Sequence, residues 1–288
     1  MKLKRVVCLF FCLLLVTADA AAEKDPASVK ELKLRQRMKY NEIKDLLPQY
    51  PNLEKVEMYN SPVTPSQADE LVSLYPEVRF GWTLKIGGDH LVRTDATAFS
   101  TLHRSGSPGH STKELAALRY CTKLQALDIG HNNVDDISWL ADLADLRVLI
   151  IAVNKISDLT PLAGLKKLEY LELFSNRVTD ISPLQELPRL MDLNIAYNRI
   201  EDFSPLFGMT HLKRLWLFRS ANRGVPGVPP DVVDVLKKQL PDTEINFRSE
   251  PTLGGWREHP HYNVIHEMFA GTWYIPFSDS APDDAGYP

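Results

Sequence analysis

One spacing constrains this chain more than any other. Leu124, Leu146, Leu168, Leu190 and Leu212 follow one another every 22 residues. Three residues after each stands another leucine (Leu127, Leu149, Leu171, Leu193, Leu215), and five after each an isoleucine or leucine (Ile129, Ile151, Leu173, Ile195, Leu217). Self-similarity at a period of 20 to 50 residues is the mark of a solenoid, in which each coil buries its apolar face only against its neighbours. A single coil cannot fold alone, so the ladder predicts a stack.

Spacing changes within each unit. The apolar alternation of the first slots is strand periodicity. Later slots (Ile137, Leu140, Leu143 and their counterparts) are spaced by three, which suits a short helical turn. Thr160-Pro161, Ser182-Pro183 and Ser204-Pro205 place a hydroxyl where an N-cap is expected and proline at the first helical position; Ser138-Trp139 keeps the hydroxyl alone. Asn132, Asn154, Asn176 and Asn198 occupy the bend after the strand. An amide there satisfies stranded backbone groups, and stacked amides are expected to bond to one another. Asp136, Asp158, Asp180 and Asp202 stand where stacked carboxylates suggest calcium, but turn amides are the expected partners.

The pattern L-x-x-L-x-L-x-x-N-x-[IV]-x-D-[ILF]-[ST]-P-L-x-x-L, read at 146–165, 168–187 and 190–209, resembles the 22-residue leucine-rich repeats of bacterial internalins. The resemblance covers about 124–217. It implies an α/β solenoid: a right-handed leucine-rich-repeat superhelix with a parallel concave β-sheet and short convex helices. It also implies that the chain works by binding other macromolecules. The remaining parts read as a helical N-terminal cap and an aromatic C-terminal tail.

The expected organisation runs from a signal peptide (1–20) through a helical cap (21–52), a degenerate repeat with a hairpin insert (53–110), the repeats (111–220) and a cap coil (221–250) to the tail (251–288), its end disordered. Residues 1–20 have a basic start, an apolar run over 6–16 and the small-x-small site Ala18-Asp19-Ala20. The apolar run is too short to span a membrane. Removing this leader takes away Lys2, Lys4, Arg5 and Asp19, a net of +2, and moves the formal charge from −4 to −6. An acidic solenoid without a basic stripe excludes nucleic acid as the expected partner. Cys8 and Cys12 lack the small preceding residue of a lipidation site, and Cys121 falls where other units carry core leucine. No disulfide framework, cofactor or resident metal is expected.

Function is sought between the rungs. Slots two, four, six and seven of each strand face the concave side, and they hold Tyr170, Glu172, Phe174, Asp192, Asn194, Tyr197, Arg214, Trp216, Phe218 and Arg219. Aromatic and arginine side chains are the usual interface hot spots. The expectation is a secreted, monomeric, non-catalytic bacterial protein that grips a protein or glycan there, without membrane insertion once the leader is cut. Replacing Trp216 and Phe218 with alanine then removes binding and leaves stability nearly unchanged. The rival for that face is the tail, whose Trp256, Tyr262, Phe269, Trp273, Tyr274 and Phe277 argue for packing on the solenoid. Two alternatives remain: a zinc-dependent enzyme using His259, His261 and His266, with Glu258 and Glu267 nearby, or a passive spacer.

Overall fold

A computed structural model describes residues 25–87, 90–101, 109–219, 227–248, 250, 252 and 255–270. The leader, Ser220, Trp273, Tyr274, Phe277 and the end of the tail lie outside the described residues. The chain divides into two compact units, 1–95 and 96–288.

The first unit holds a four-stranded sheet in the order β1 (Glu31–Lys33), β2 (Lys55–Val63), β3 (Arg79–Ile86), β4 (His90–Arg93). β1, β2 and β3 run parallel, and β4 returns antiparallel after the glycine turn read from the sequence. Helix α1 (Tyr40–Leu46) follows β1, and α2 (Pro65–Leu74) links β2 to β3. The expected all-helical cap is therefore half right. Leu32 and Leu34 are buried, but from a strand: with Val56 as its parallel partner, Leu32 alternates with exposed Glu31 and Lys33 at period two rather than 3.6. Thr64 opens α2 with a capping box to Gln67, and Pro65 sits at its first position.

The second unit is the solenoid. Strands β5 (Ala98–Ser100), β6 (Ala126–Asp128), β7 (Val148–Ile150), β8 (Tyr170–Glu172), β9 (Asp192–Asn194), β10 (Arg214–Trp216) and β11 (Glu244–Asn246) form one seven-stranded parallel sheet in chain order. From β6 to β10 the register pairs each residue with the one 22 positions on, Ala126 with Val148, then Tyr170, Asp192 and Arg214. Equal slots therefore stack. Ser111 pairs with Glu114 to open α3 (Thr112–Leu115), as its capping box predicts, and a 3₁₀ turn carries the chain on to Tyr120. The returns are 3₁₀ turns over Ser138–Asp142, Thr160–Gly164, Ser182–Glu186 and Ser204–Leu206. α4 (Pro230–Gln239) takes this place before β11. The ladder leucines, Leu124 to Leu212, are fully buried on the turn side of the sheet, as is Cys121.

Two local expectations are corrected. The serine and threonine hydroxyls are not the caps. Each 3₁₀ turn starts one residue too early for that, and the aspartate two positions before supplies the acceptor. Asp136, Asp158, Asp180 and Asp202 each accept from the amide two residues on, all at 2.8 Å. The calcium alternative thereby meets carboxylates already engaged in Asx turns. The asparagines also bond to backbone rather than to each other. Asn176 donates to Leu173 and Phe174 in its own unit and, at 3.0 Å, to the Ile151 carbonyl of the unit before. Its Oδ1 accepts from the Ile156 amide of that same earlier unit at 3.0 Å. Asn154 and Asn198 repeat this pattern.

The bend has a further demand that the sequence does not advertise. His131, Val153, Ser175 and Tyr197, each just before its asparagine, have φ between 52° and 58°. This left-handed turn follows each of the strands β6 to β9. It costs an L-residue about 1–2 kcal/mol, and most where the side chain is β-branched, as in Val153.

Candidate functional site

The face of the sheet turned away from the leucines is not open. Helix α5 (Pro260–Ala270) and the turn before it lie across it. Trp256 is fully buried against Tyr170 of β8 and Trp216 of β10, with ring centroids 5.3 and 5.1 Å apart. Ile265 and Met268 continue the apolar contact over Ala126 and Val148, and the partly buried Tyr262 and Phe269 flank it. The tail expected to pack on the solenoid does so over residues 256–270.

This contact is fastened by charge. Glu172, fully buried, accepts from Tyr170 Oη at 2.8 Å, Trp256 Nε1 at 3.0 Å and Arg257 at 2.6 Å. Asp192, also fully buried, accepts Nε of Arg214 on Oδ1 and Nη2 on Oδ2, both at 2.9 Å, and His261 Nδ1 lies 2.5 Å from the same Oδ2. Arg214 in turn donates to the Trp256 carbonyl at 3.0 Å and stacks over its indole ring. Burial alone raises the Asp192 carboxyl pKa. The hydrogen bonds from His261 and Arg214 overcome this and hold it below the ordinary value.

The predicted site residues divide accordingly. Tyr170, Glu172, Asp192, Asn194, Arg214 and Trp216 are buried beneath the tail, so as a free surface these six are corrected. Stacked slots two and four form the floor on which α5 rests. Phe174 and Tyr197 are also largely buried, within a rim cluster of Ala152, Phe174 and Ala196. Phe218 and Arg219 remain partly exposed, with Val153 and Ser175 beside them and His131 fully so. Phe218 meets Tyr197 edge-on at 5.4 Å, and Tyr197 Oη bonds to Glu250 at 2.9 Å. This rim is the accessible part of the face.

Sequence reasoning missed Asp128. It sits on β6, next to the end of α5, where its partners are the Gly130 amide at 3.0 Å and Ser100 Oγ at 3.5 Å. Burial pushes its carboxyl up to about 7, and the nearby Glu172 charge adds to the rise. The folded chain therefore holds a proton there between roughly pH 4 and 7 that the unfolded chain has lost, so stability falls as pH rises through that window. Asp128→Asn keeps an acceptor for Gly130 and removes the titration. Compared by urea unfolding at pH 5 and pH 8, the variant's advantage over the natural chain is expected to grow by on the order of 3 kcal/mol. An unchanged difference would mean that Asp128 is ionised throughout.

The tail histidines do not converge. His261 faces Asp192, and His259 stacks edge-on against His261 at 4.3 Å. Among the described residues no three His, Cys, Asp or Glu side chains are placed to hold a metal ion. Nor, among them, is any helix long and apolar enough to cross a membrane.

Residues 122–164, 144–186 and 166–206 match the family model described as leucine-rich repeats (2 copies). The coils within 122–206 are leucine-rich repeats. Among similar solved structures are two internalins of Listeria monocytogenes. Internalin C2 is 24% identical over 68% of this chain and 81% of that one, with a TM-score of 0.35. The second is 20% identical over 81% of this chain and 70% of that one, with a TM-score of 0.39. A leucine-rich-repeat protein of Leptospira interrogans is 15% identical over 69% and 73%, with a TM-score of 0.41. No curated protein matches the chain.

Proposed function

We propose that this is an exported, non-catalytic binding protein whose partner is another protein, met first at the rim of the sheet face. One observation carries this. Rim side chains around Phe218 and Arg219 stay partly exposed at the edge of an apolar cluster, while every ladder leucine is buried. The Arg219 guanidinium lies over the Phe203 ring and Phe218 meets Tyr197 edge-on, yet both stay partly exposed, and aromatic and arginine side chains are the usual hot-spot types. The basic, apolar and small-x-small order of residues 1–20 supports export. The floor residues, from Tyr170 to Trp216, enter the partner contact only where the tail gives way.

The test is capture from culture medium and host extract with the full chain, against Phe218→Glu and Arg219→Glu variants. A partner retained by the natural chain and reduced at least about tenfold by either charge reversal, with an unchanged unfolding midpoint, supports rim binding. Equal capture by all three chains would sink it. The closed floor favours one other reading, a passive spacer, for which no protein is retained specifically by any of them.

A further inference from the structure

The floor beneath α5 is chemically unlike the rest of the repeat. The repeat core closes on its other side, through the buried ladder leucines and isoleucines. Between β8 and β10 the floor instead presents two fully buried carboxylates, Glu172 and Asp192, beside the aromatic faces of Tyr170 and Trp216. Asp192 keeps the Arg214 fork of its own sheet, but Glu172 keeps only the Tyr170 hydroxyl, and a buried acid short of donors is destabilising, so whatever lies on this floor must bring donors to Glu172 above all. The tail brings an indole N–H and a guanidinium to Glu172 and an imidazole to Asp192. All three arrive on flexible side chains, across a contact fastened by side-chain bonds and one carbonyl rather than by an added strand.

The seal is also imperfect. Arg257 Nε is buried without a hydrogen-bond partner, although its Nη2 bonds to Glu172. Asp128, on the same floor, takes its bonds from β5 and its own turn rather than from α5. Unmet polar groups under a cover lower the free energy needed to lift it, whereas a permanent core is expected to satisfy them.

We propose that residues 255–270 are an exchangeable cover over a second, deeper protein-binding seat, and that the segment replacing it is a partner's helix bearing an aromatic–cation pair. This rests on the binding role set out above and extends it from the rim to the floor. Charge complementarity selects the occupant: an acidic or purely aliphatic helix leaves Glu172 with the Tyr170 hydroxyl alone, and a basic aromatic one restores the indole and guanidinium bonds. The cover is thus a model of its own competitor, with tryptophan and arginine adjacent and an imidazole a few residues on.

Two measurements on the full chain test this. The first is amide hydrogen exchange of the natural protein. The α5 amides are expected to exchange at least about 100-fold faster than those of β8, through an opening that leaves the repeats closed. The second is binding of a labelled peptide with the sequence of residues 255–270. Its affinity is expected to rise at least tenfold on a Trp256→Ala chain, whose own cover competes less, and to vanish when the peptide itself carries Trp256→Ala and Arg257→Ala. Exchange of α5 at the β8 rate, which requires no altered protein, overturns the proposal. So does failure of the peptide to bind a Trp256→Ala chain that still unfolds cooperatively. The two readings fail separately: equal capture by the natural, Phe218→Glu and Arg219→Glu chains ends the rim reading, whereas α5 exchange at the β8 rate ends the cover even where Phe218→Glu abolishes capture.

Discussion

Asn176→Ala is expected to lower the unfolding free energy by about 3–5 kcal/mol, one of the largest losses available to a single polar side chain in this protein. The side chain donates to three carbonyls, Ile151, Leu173 and Phe174, and accepts from the Ile156 amide. Alanine leaves all four backbone groups without that partner in a bend that is almost wholly buried. Each unsatisfied group costs about 1–3 kcal/mol, and a water admitted to the vacated space recovers part of the total. Two of the four groups belong to the preceding repeat, so the damage is shared between units. Urea unfolding measures it; a loss below about 1 kcal/mol would mean that the bend holds itself without the amide. Asn176→Asp is a useful companion, because it keeps the acceptor toward Ile156 and removes the donors.

Trp216→Ala is expected to cost about 3 kcal/mol, at the low end of the usual range for a buried tryptophan. Trp216 has no exposed surface and packs on Trp256 beneath the tail. Its removal opens a cavity between floor and cover rather than inside the repeat core. The loss therefore cannot exceed the free energy with which the cover docks, beyond which the tail simply detaches. Unfolding experiments should accordingly be read together with protease sensitivity of the 250–270 segment. Unchanged stability together with an intact tail would return Trp216 to the status of a surface residue. This reverses the expectation from sequence for the Trp216 half of the double alanine variant. Phe218, partly exposed at the rim, keeps its expected small effect on stability.

The contrast between these two residues shows what the sequence makes legible. Asn176 recurs every 22 residues, and a recurring polar residue inside an apolar ladder announces a structural duty. Its backbone partners are of the expected kind; only the added amide-to-amide bonds give way, because the bend offers nearer carbonyls. The hydroxyl caps were misplaced for a similar reason: a one-residue shift in where the 3₁₀ turn starts hands the capping role to Asp158, Asp180 and Asp202. Trp216 does not recur, and nothing local tells a strand residue whether solvent or its own tail covers it. A signal did exist, though at long range. Glu172 and Asp192 stand on the sheet as acids whose neighbours Tyr170 and Arg214 supply only part of their donors, and Trp256, Arg257 and His261 stand some 70 to 85 positions later to supply the rest. Complementarity over such separations has no period, so a search for repeats passes over it.

The arrangement of α5 also fixes a quantity that repeats leave free. A stack of identical coils has no natural length, because a 22-residue unit can be added or lost with every rung intact. The tail removes that freedom. Its ties begin at Trp256 against β10 and end with Met268 and Phe269 over β6 and β5. Its 11-residue helix is roughly 16 Å long, and four strand spacings, the distance from β9 to β5, come to about 19 Å. One extra coil would move Asp192 by a strand width while Ala98 stayed put, and no single placement of the helix would then meet both. The tail is a gauge, cut to the width of the sheet, that counts the repeats.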